Sequence, residues 1–194
     1  YNLGLNIDEK FNSDNEYGLT FTDENNIVKH LNYCKYIAEL TIPDDAQICK
    51  DSFANKWKAD KIIINKYYPI EEWSGWNNEK YCLLAVKSNG DALKYVPNSY
   101  KTKELCYLAV MNKYNGALEY VPDKFKNKEL CELAIKNNGN TLKFVLNELK
   151  TKELCELAVK NDGCALQWVP EEFKTKELCE LAVENGYALE FVIE

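Results

Sequence analysis

From residue 77 onward the apolar and polar positions follow one recurring pattern, seen most clearly in KTKELCELAVKNDGCALQWVPEEF, residues 150–173. Asn78, Thr102, Asn127, Thr151 and Thr175 stand just before an apolar stretch, where a side-chain oxygen can accept from the free amides of a first helical turn. Glu104, Glu129, Glu153 and Glu177 follow two positions later, at the positive end of the helix dipole. The run L-C-x-L-A-V comes next, as Leu154, Cys155, Leu157, Ala158 and Val159. Apolar groups at these offsets cover more than one narrow stripe, so the predicted helix touches neighbours on two sides.

Gly90, Gly139, Gly163 and Gly186, each preceded by asparagine or aspartate, predict a left-handed turn at the end of that helix. A second, shorter helix is predicted over A-L-x-aromatic-V, as Ala92, Leu93, Tyr95 and Val96, or Ala165, Leu166, Trp168 and Val169. Pro97, Pro122 and Pro170 stop it, because the residue before proline disfavours helical backbone. Tyr100, Phe125, Leu149 and Phe173 then offer a bulky group to pin the following loop.

Cys82, Cys106, Cys131, Cys155 and Cys179 occupy the same point of this pattern, at spacings of 24, 25, 24 and 24 residues. Strict self-similarity at a short period predicts an all-α solenoid of two-helix units, five in number, over residues 77–194. The second unit carries one extra residue near Lys113 to Gly116, the fifth lacks one before Gly186, and the third has Leu146 where the others have proline. All of these departures fall at turns.

Residues 1–68 lack the period and predict a small mixed α/β head, so the whole chain reads as α+β. YGLTFTD (17–23) reads as a strand ending at a cap on Thr22 or Asp23, followed by a helix to Cys34. YIAELTIPDD (36–45) reads as a strand before a proline turn, and ADKIIINK (59–66) as a β-branched strand. Residues 69–76 form a Trp-rich junction, in which Trp73 and Trp76 are expected to cover the first unit and join it firmly to the head.

Charge and cysteine usage narrow the chemistry. The net charge is −7, and all 24 basic residues are lysine. An acidic chain without arginine lacks the planar fork favoured for phosphate and base recognition, so no nucleic-acid partner is expected. No apolar run approaches the roughly 20 residues of a membrane span, and no membrane partner is expected. The five repeat cysteines sit between apolar neighbours, where a free cysteine packs as a small hydrophobe. Stacked units about 10 Å apart would hold them beyond the roughly 7 Å a disulfide allows. Cys34, Cys49 and Cys164 show no C-x-x-C spacing, and His30 with Cys34 makes at most half of a zinc site. No cofactor, metal or catalytic residue is assigned, and the unpaired cysteines suit a reducing compartment, a cytoplasm or the interior of a particle.

The pattern E-L-C-x-L-A-V-x-x-(N/D)-G-x-A-L-x-(Y/F/W)-V-P resembles short helical repeats of bacteria and giant viruses, a family of unknown function found in tandem arrays. The resemblance covers residues 77–194 and implies architecture, not activity. YNLGLNIDEKFN, GLTFTDENNI, IPDDAQI and NKWKADKIIIN resemble the amino-terminal region of ankyrin-repeat proteins of giant amoeba viruses, which implies a viral or microbial source and modular use of one head.

The resulting expectation is a non-enzymatic interaction or scaffold protein that recognises a protein partner. The position after each repeat cysteine is expected to face outward, and Leu83, Tyr107, Glu132, Glu156 and Glu180, with Met111, are the candidate partner-binding residues. On the short helix the variable position reads Lys94, Glu119, Lys143, Gln167 and Glu190. Two competing readings remain. One is a catalytic head with ADP-ribosyltransferase-like activity, although Asp44 and Asp45 suit a turn and Glu71 and Glu72 the start of the repeats. The other is a structural subunit that self-associates through its carboxy-terminal repeat.

Overall fold

A computed structural model describes residues 4–7, 19–22, 26–27, 35–51, 56–112 and 116–185. Asp23, the helix expected to end at Cys34, His30, the insertion at 113–115, Gly186 and Glu190 lie outside these residues. The chain combines small sheets with helices, an α+β composition, and divides into two compact units, residues 1–84 and 85–194.

Among its described residues the first unit contains two antiparallel three-stranded sheets, β1–β6–β3 and β2–β5–β4. Their strands are β1 (Gly4–Ile7), β2 (Leu19–Phe21), β3 (Tyr36–Thr41), β4 (Ile48–Asp51), β5 (Lys56–Ala59) and β6 (Lys61–Pro69). β2 and β3 lie where the sequence predicts strands. The predicted strand over 59–66 is divided by Asp60, which takes Gln47 as its partner: Asp60 N donates to Gln47 O at 3.1 Å, and Gln47 N to Asp60 Oδ1 at 2.8 Å. Ala59 accordingly ends β5, and β6 runs on through Tyr67 and Tyr68 to Pro69, the first residue of the predicted junction. Ile62 and Ile64 alternate inward from β6 and bury with Leu19 and Ala59, against partly buried Phe21, Leu40 and Ile42. Asp44 and Asp45 form a turn as expected, with Lys61 Nζ 2.6 Å from Asp45 Oδ2.

Two single-turn 3-10 segments, Ile70–Glu72 and Ser74–Asn77, follow β6. Trp73 and Trp76 are both buried here, edge to face with ring centroids 5.2 Å apart. Trp76 Nε1 donates to Ile70 O at 2.7 Å, so the indole is satisfied without solvent. A Cβ on Gly75 would stand 2.2 Å from the Trp73 ring, which explains the glycine. Tyr81 stacks at a tilt on Trp73, and Cys82 Sγ donates to Trp76 O at 3.3 Å. Glu71 and Glu72 are exposed within the first of these turns.

Among the described residues five α-helices occupy the predicted positions: α1 (Glu79–Ser88), α2 (Lys103–Met111), α3 (Lys128–Asn137), α4 (Lys152–Asn161) and α5 (Lys176–Glu184). Thr102, Asn127, Thr151 and Thr175 cap α2 to α5 by accepting from Leu105, Leu130, Leu154 and Leu178 N. Within α4, Leu154, Cys155, Ala158 and Val159 are buried, as the two-sided pattern requires.

In the first four repeats the second helix is a 3-10 segment, at Gly90–Lys94, Ala117–Tyr120, Gly139–Phe144 and Gly163–Trp168, and that of the fifth lies outside the described residues. Its buried leucine and valine lie three residues apart, as in Leu93 and Val96 or Leu166 and Val169, which matches the three-residue turn. The region after Pro122 and Pro170, read as a loop, is a further 3-10 turn at Asp123–Phe125 and Glu171–Phe173, while residues 98–100 after Pro97 form a simple turn. Leu146 takes φ −61 and ψ 141, close to Pro122 at −57 and 139, and introduces the same turn without proline.

The glycines differ from their predicted role as left-handed caps. Asn89, Asn138 and Asp162 are extended, and their side chains accept from the amides of Asp91, Asn140 and Cys164, so the 3-10 segment starts at the glycine itself. Space explains the residue type: a Cβ on Gly90 would lie 2.2 Å from Ala109 O, and one on Gly139 would lie 2.3 Å from Ala158 O. Each glycine lets the helix of the next unit approach its backbone.

Within the second unit α2 packs on α3, α3 on α4 and α4 on α5, and the 3-10 segments pack on one another in the same order. A row of asparagines ties these neighbours together. Asn112, Asn137 and Asn161 donate through Nδ2 to Lys87, Val110 and Lys136 O at 3.3, 2.8 and 3.1 Å, satisfying carbonyls at the end of the preceding helix. Asn161 Oδ1 also accepts from Gly139 N at 2.8 Å. A lysine row behaves conditionally. Lys101 and Lys150 donate to Tyr120 and Trp168 O of their own repeats, each at 3.0 Å, whereas Lys126 and Lys174 fold back onto Asp123 and Glu171.

Candidate functional site

Along the outer faces of α2 to α5 one apolar position is left half-buried in every helix: Leu108, Leu133, Leu157 and Leu181. The cause is angular. Leucine two positions after the repeat cysteine sits at the margin of the buried arc, while the preceding leucine, the cysteine and the alanine point to neighbours. Between α4 and α5 this margin opens into a groove of about 580 Å³. Leu157, Leu178 and Leu181 line its apolar part, and Lys152, Glu153, Glu156, Lys160 and Glu177 its charged rim.

Glu153 and Glu177 are exposed, and hydrogen bonds from their own backbone amides, then from the hydroxyls of Thr151 and Thr175, hold their carboxyls below the usual carboxylate range. Lys128 and Lys152 of the preceding units act in the same direction on Glu153 and Glu177. Lys152 Nζ also stands 3.9 Å from Glu156 Oε1, and Lys176 Nζ 3.9 Å from Glu180 Oε1. Such exposed pairs order side chains more than they stabilise the fold.

The six predicted partner-binding residues do not share one setting. Leu83, Glu156 and Glu180 are exposed as expected, and Met111, at the end of α2, is 61% exposed. Tyr107 and Glu132 are half-buried instead. Tyr107 is drawn inward because its hydroxyl lies 3.0 Å from Asn127 Oδ1 and 3.3 Å from Glu129 Oε2, a bridge to the cap of the next helix. Glu156 alone among the six lines the groove. Sequence reasoning missed Leu157, Lys160 and Leu181, absorbing the leucines into the apolar run; the angular offset of that leucine from the cysteine was the available signal.

Four of the five repeat cysteines carry the opposite character. Cys82, Cys106, Cys131 and Cys155 have no exposed surface, and burial pushes each thiol up to about 11. A thiol of this kind is not ionised near neutrality and is inert as a nucleophile. Cys49, Cys164 and Cys179 are partly exposed. Among the described residues no group of three His, Cys, Asp or Glu side chains could hold a metal ion, and no helix is long and apolar enough to cross a membrane.

A smaller cleft of about 290 Å³ lies among the 3-10 segments, lined by Asp91, Glu119, Tyr120, Asn138, Asn140 and Lys143 among others. Burial raises the Asp91 carboxyl, opposed by Lys94 and reinforced by Glu119.

A domain family of unknown function, DUF4116, matches residues 78–126, 102–150 and 151–194, each match spanning about two units of the repeat. The matches fall on the repeats and give no support to the expected likeness of the head to viral ankyrin-repeat proteins. Comparison with curated proteins and with solved structures gives no match. Because the matched segments take up more than half of the chain, the protein belongs to the DUF4116 family.

Proposed function

We propose that the chain is a non-enzymatic protein-interaction module in which the repeats stack as an α-solenoid and present the α4–α5 groove to a protein partner. The observation that carries this reading is the contrast within one helix turn. Cys155 is buried and un-ionised, whereas the adjacent Glu156 and Leu157 line an open groove with an apolar floor and a charged rim. A surface of that kind, apolar at its centre and polar at its edge, suits protein recognition better than bond-making chemistry. The reducing compartment expected from the cysteines and the viral or microbial source suggested by the head fit the same reading.

The test is capture of proteins from a cytosolic extract by the 194-residue chain, in parallel with the double variant Glu156→Lys plus Glu177→Gln. A partner retained by the native chain and lost with the variant supports the groove. Capture unaffected by the variant overturns it. Calorimetric titration with NAD addresses the competing catalytic head: saturable binding would favour that reading over the present one.

A further inference from the structure

The walls of the α4–α5 groove also specify the chemistry of its occupant, an inference that rests on the interaction role proposed for that groove. Leu108, Leu133, Leu157 and Leu181 recur at one helical position on four consecutive helices, each packed on the next. Packed helices stand about 8–10 Å apart, and an extended chain in the polyproline II conformation advances about 3.1 Å per residue with about three residues per turn, so every third side chain returns to the same face. Every third residue of an extended segment therefore meets the next leucine.

The rim supplies the second criterion. Three carboxylates, Glu153, Glu156 and Glu177, face two ammonium groups, Lys152 and Lys160. Lys152 is already engaged with Glu156, and Glu153 and Glu177 are held ionised by their helix amides. On α5 Glu180 and Glu184 add two further exposed acids against one lysine, Lys176, which stands 3.9 Å from Glu180. Cations from outside are complementary to this rim, and arginine, absent from this chain, would meet a carboxylate through two parallel hydrogen bonds.

We infer that the groove takes an extended peptide segment of a partner protein, carrying an apolar side chain at every third residue with lysine or arginine between them.

Fluorescence anisotropy with the full chain tests this directly, using three labelled peptides of about twelve residues, enough to cross four helices. One repeats Leu-Lys-Ser, one Leu-Glu-Ser, and one Ser-Lys-Ser. The Leu-Lys-Ser peptide should bind at least about tenfold more tightly than either of the others, and should weaken as salt rises from about 0.05 to about 0.5 M. Glu156→Lys plus Glu177→Gln should weaken it about tenfold, with circular dichroism unchanged. Equal affinity for the Leu-Lys-Ser and Leu-Glu-Ser peptides, insensitivity to the double variant, or no saturable binding would overturn the inference. If the peptides fail while capture from extract still depends on the double variant, the interaction surface stands and only the basic, apolar occupant falls. If capture is also insensitive, the groove reading falls with it.

Discussion

The head and the repeats solve one problem, pairing backbone polar groups around an apolar core, with partners at very different distances along the chain. In the head, Gly4 pairs with Ile64 and Leu19 with Ala59, so each sheet closes only after most of the segment has been made. In the repeats, Asn112 reaches Lys87, Asn137 reaches Val110 and Gly139 meets Asn161, each one unit away. The difference teaches that a repeat can be stabilised locally by a rule written in every unit, whereas the head depends on particular long-range registers.

The sharpest way to break the comparison is to remove one core side chain from each part. Leu142→Ala, at a fully buried position, should cost about 2–5 kcal/mol, and hydrogen exchange should quicken in α3 and α4, which pack on that segment. Ile62→Ala should also cost about 2–5 kcal/mol, but exchange should quicken at β1 and β3, far away in sequence. Denaturant titration with residue-resolved exchange measures both; a response confined to the neighbours of Ile62 along the chain would contradict the contrast.

A smaller effect tests the reading of the glycines. Gly139→Ala should cost about 1–3 kcal/mol, because its methyl meets Ala158 O and not because of a left-handed backbone. Asn or Asp at this position, which tolerate left-handed backbone, should be no better than Ala in thermal melts. Loss of one cap is smaller again: Thr151→Ala should cost about 1 kcal/mol, with faster exchange at the amide of Leu154.

Legibility followed the same division. The caps at Thr102 and Thr151, the buried run of L-C-x-L-A-V and the positions of the α-helices could be read because each is signalled within a few residues and then repeated. The 3-10 geometry was hidden, since Leu93 and Val96 at i and i+3 suit either helix type. The glycine assignment failed for a different reason: N-G is a good cap signal, yet the deciding contact, from Gly139 to Ala158, belongs to the next unit. Three strands of the head, β1, β4 and β5, went unread, each four residues long, whereas the still shorter β2 was signalled by the alternation of the longer stretch YGLTFTD around it. At the groove, Glu156 was found by its variability and Leu157 was missed because it resembled the core beside it.

The central claim, that the recurring cysteine is a packing group and not a reactive one, is most directly tested by residue-resolved alkylation with iodoacetamide, followed by mass spectrometry. Near pH 8 in the folded chain, Cys82, Cys106, Cys131 and Cys155 should resist labelling while Cys49 and Cys164 react, and denaturant should release all four together with their units. Unfolded thiols ionise near about 8.5, below the value of about 11 in the fold. Their contribution to stability is therefore full below that lower value and is lost as pH rises through the higher one, so the denaturation midpoint should fall over the same window. Labelling of any of the four in the folded chain at the rate of a free thiol would contradict the account and return the repeated cysteine to chemistry.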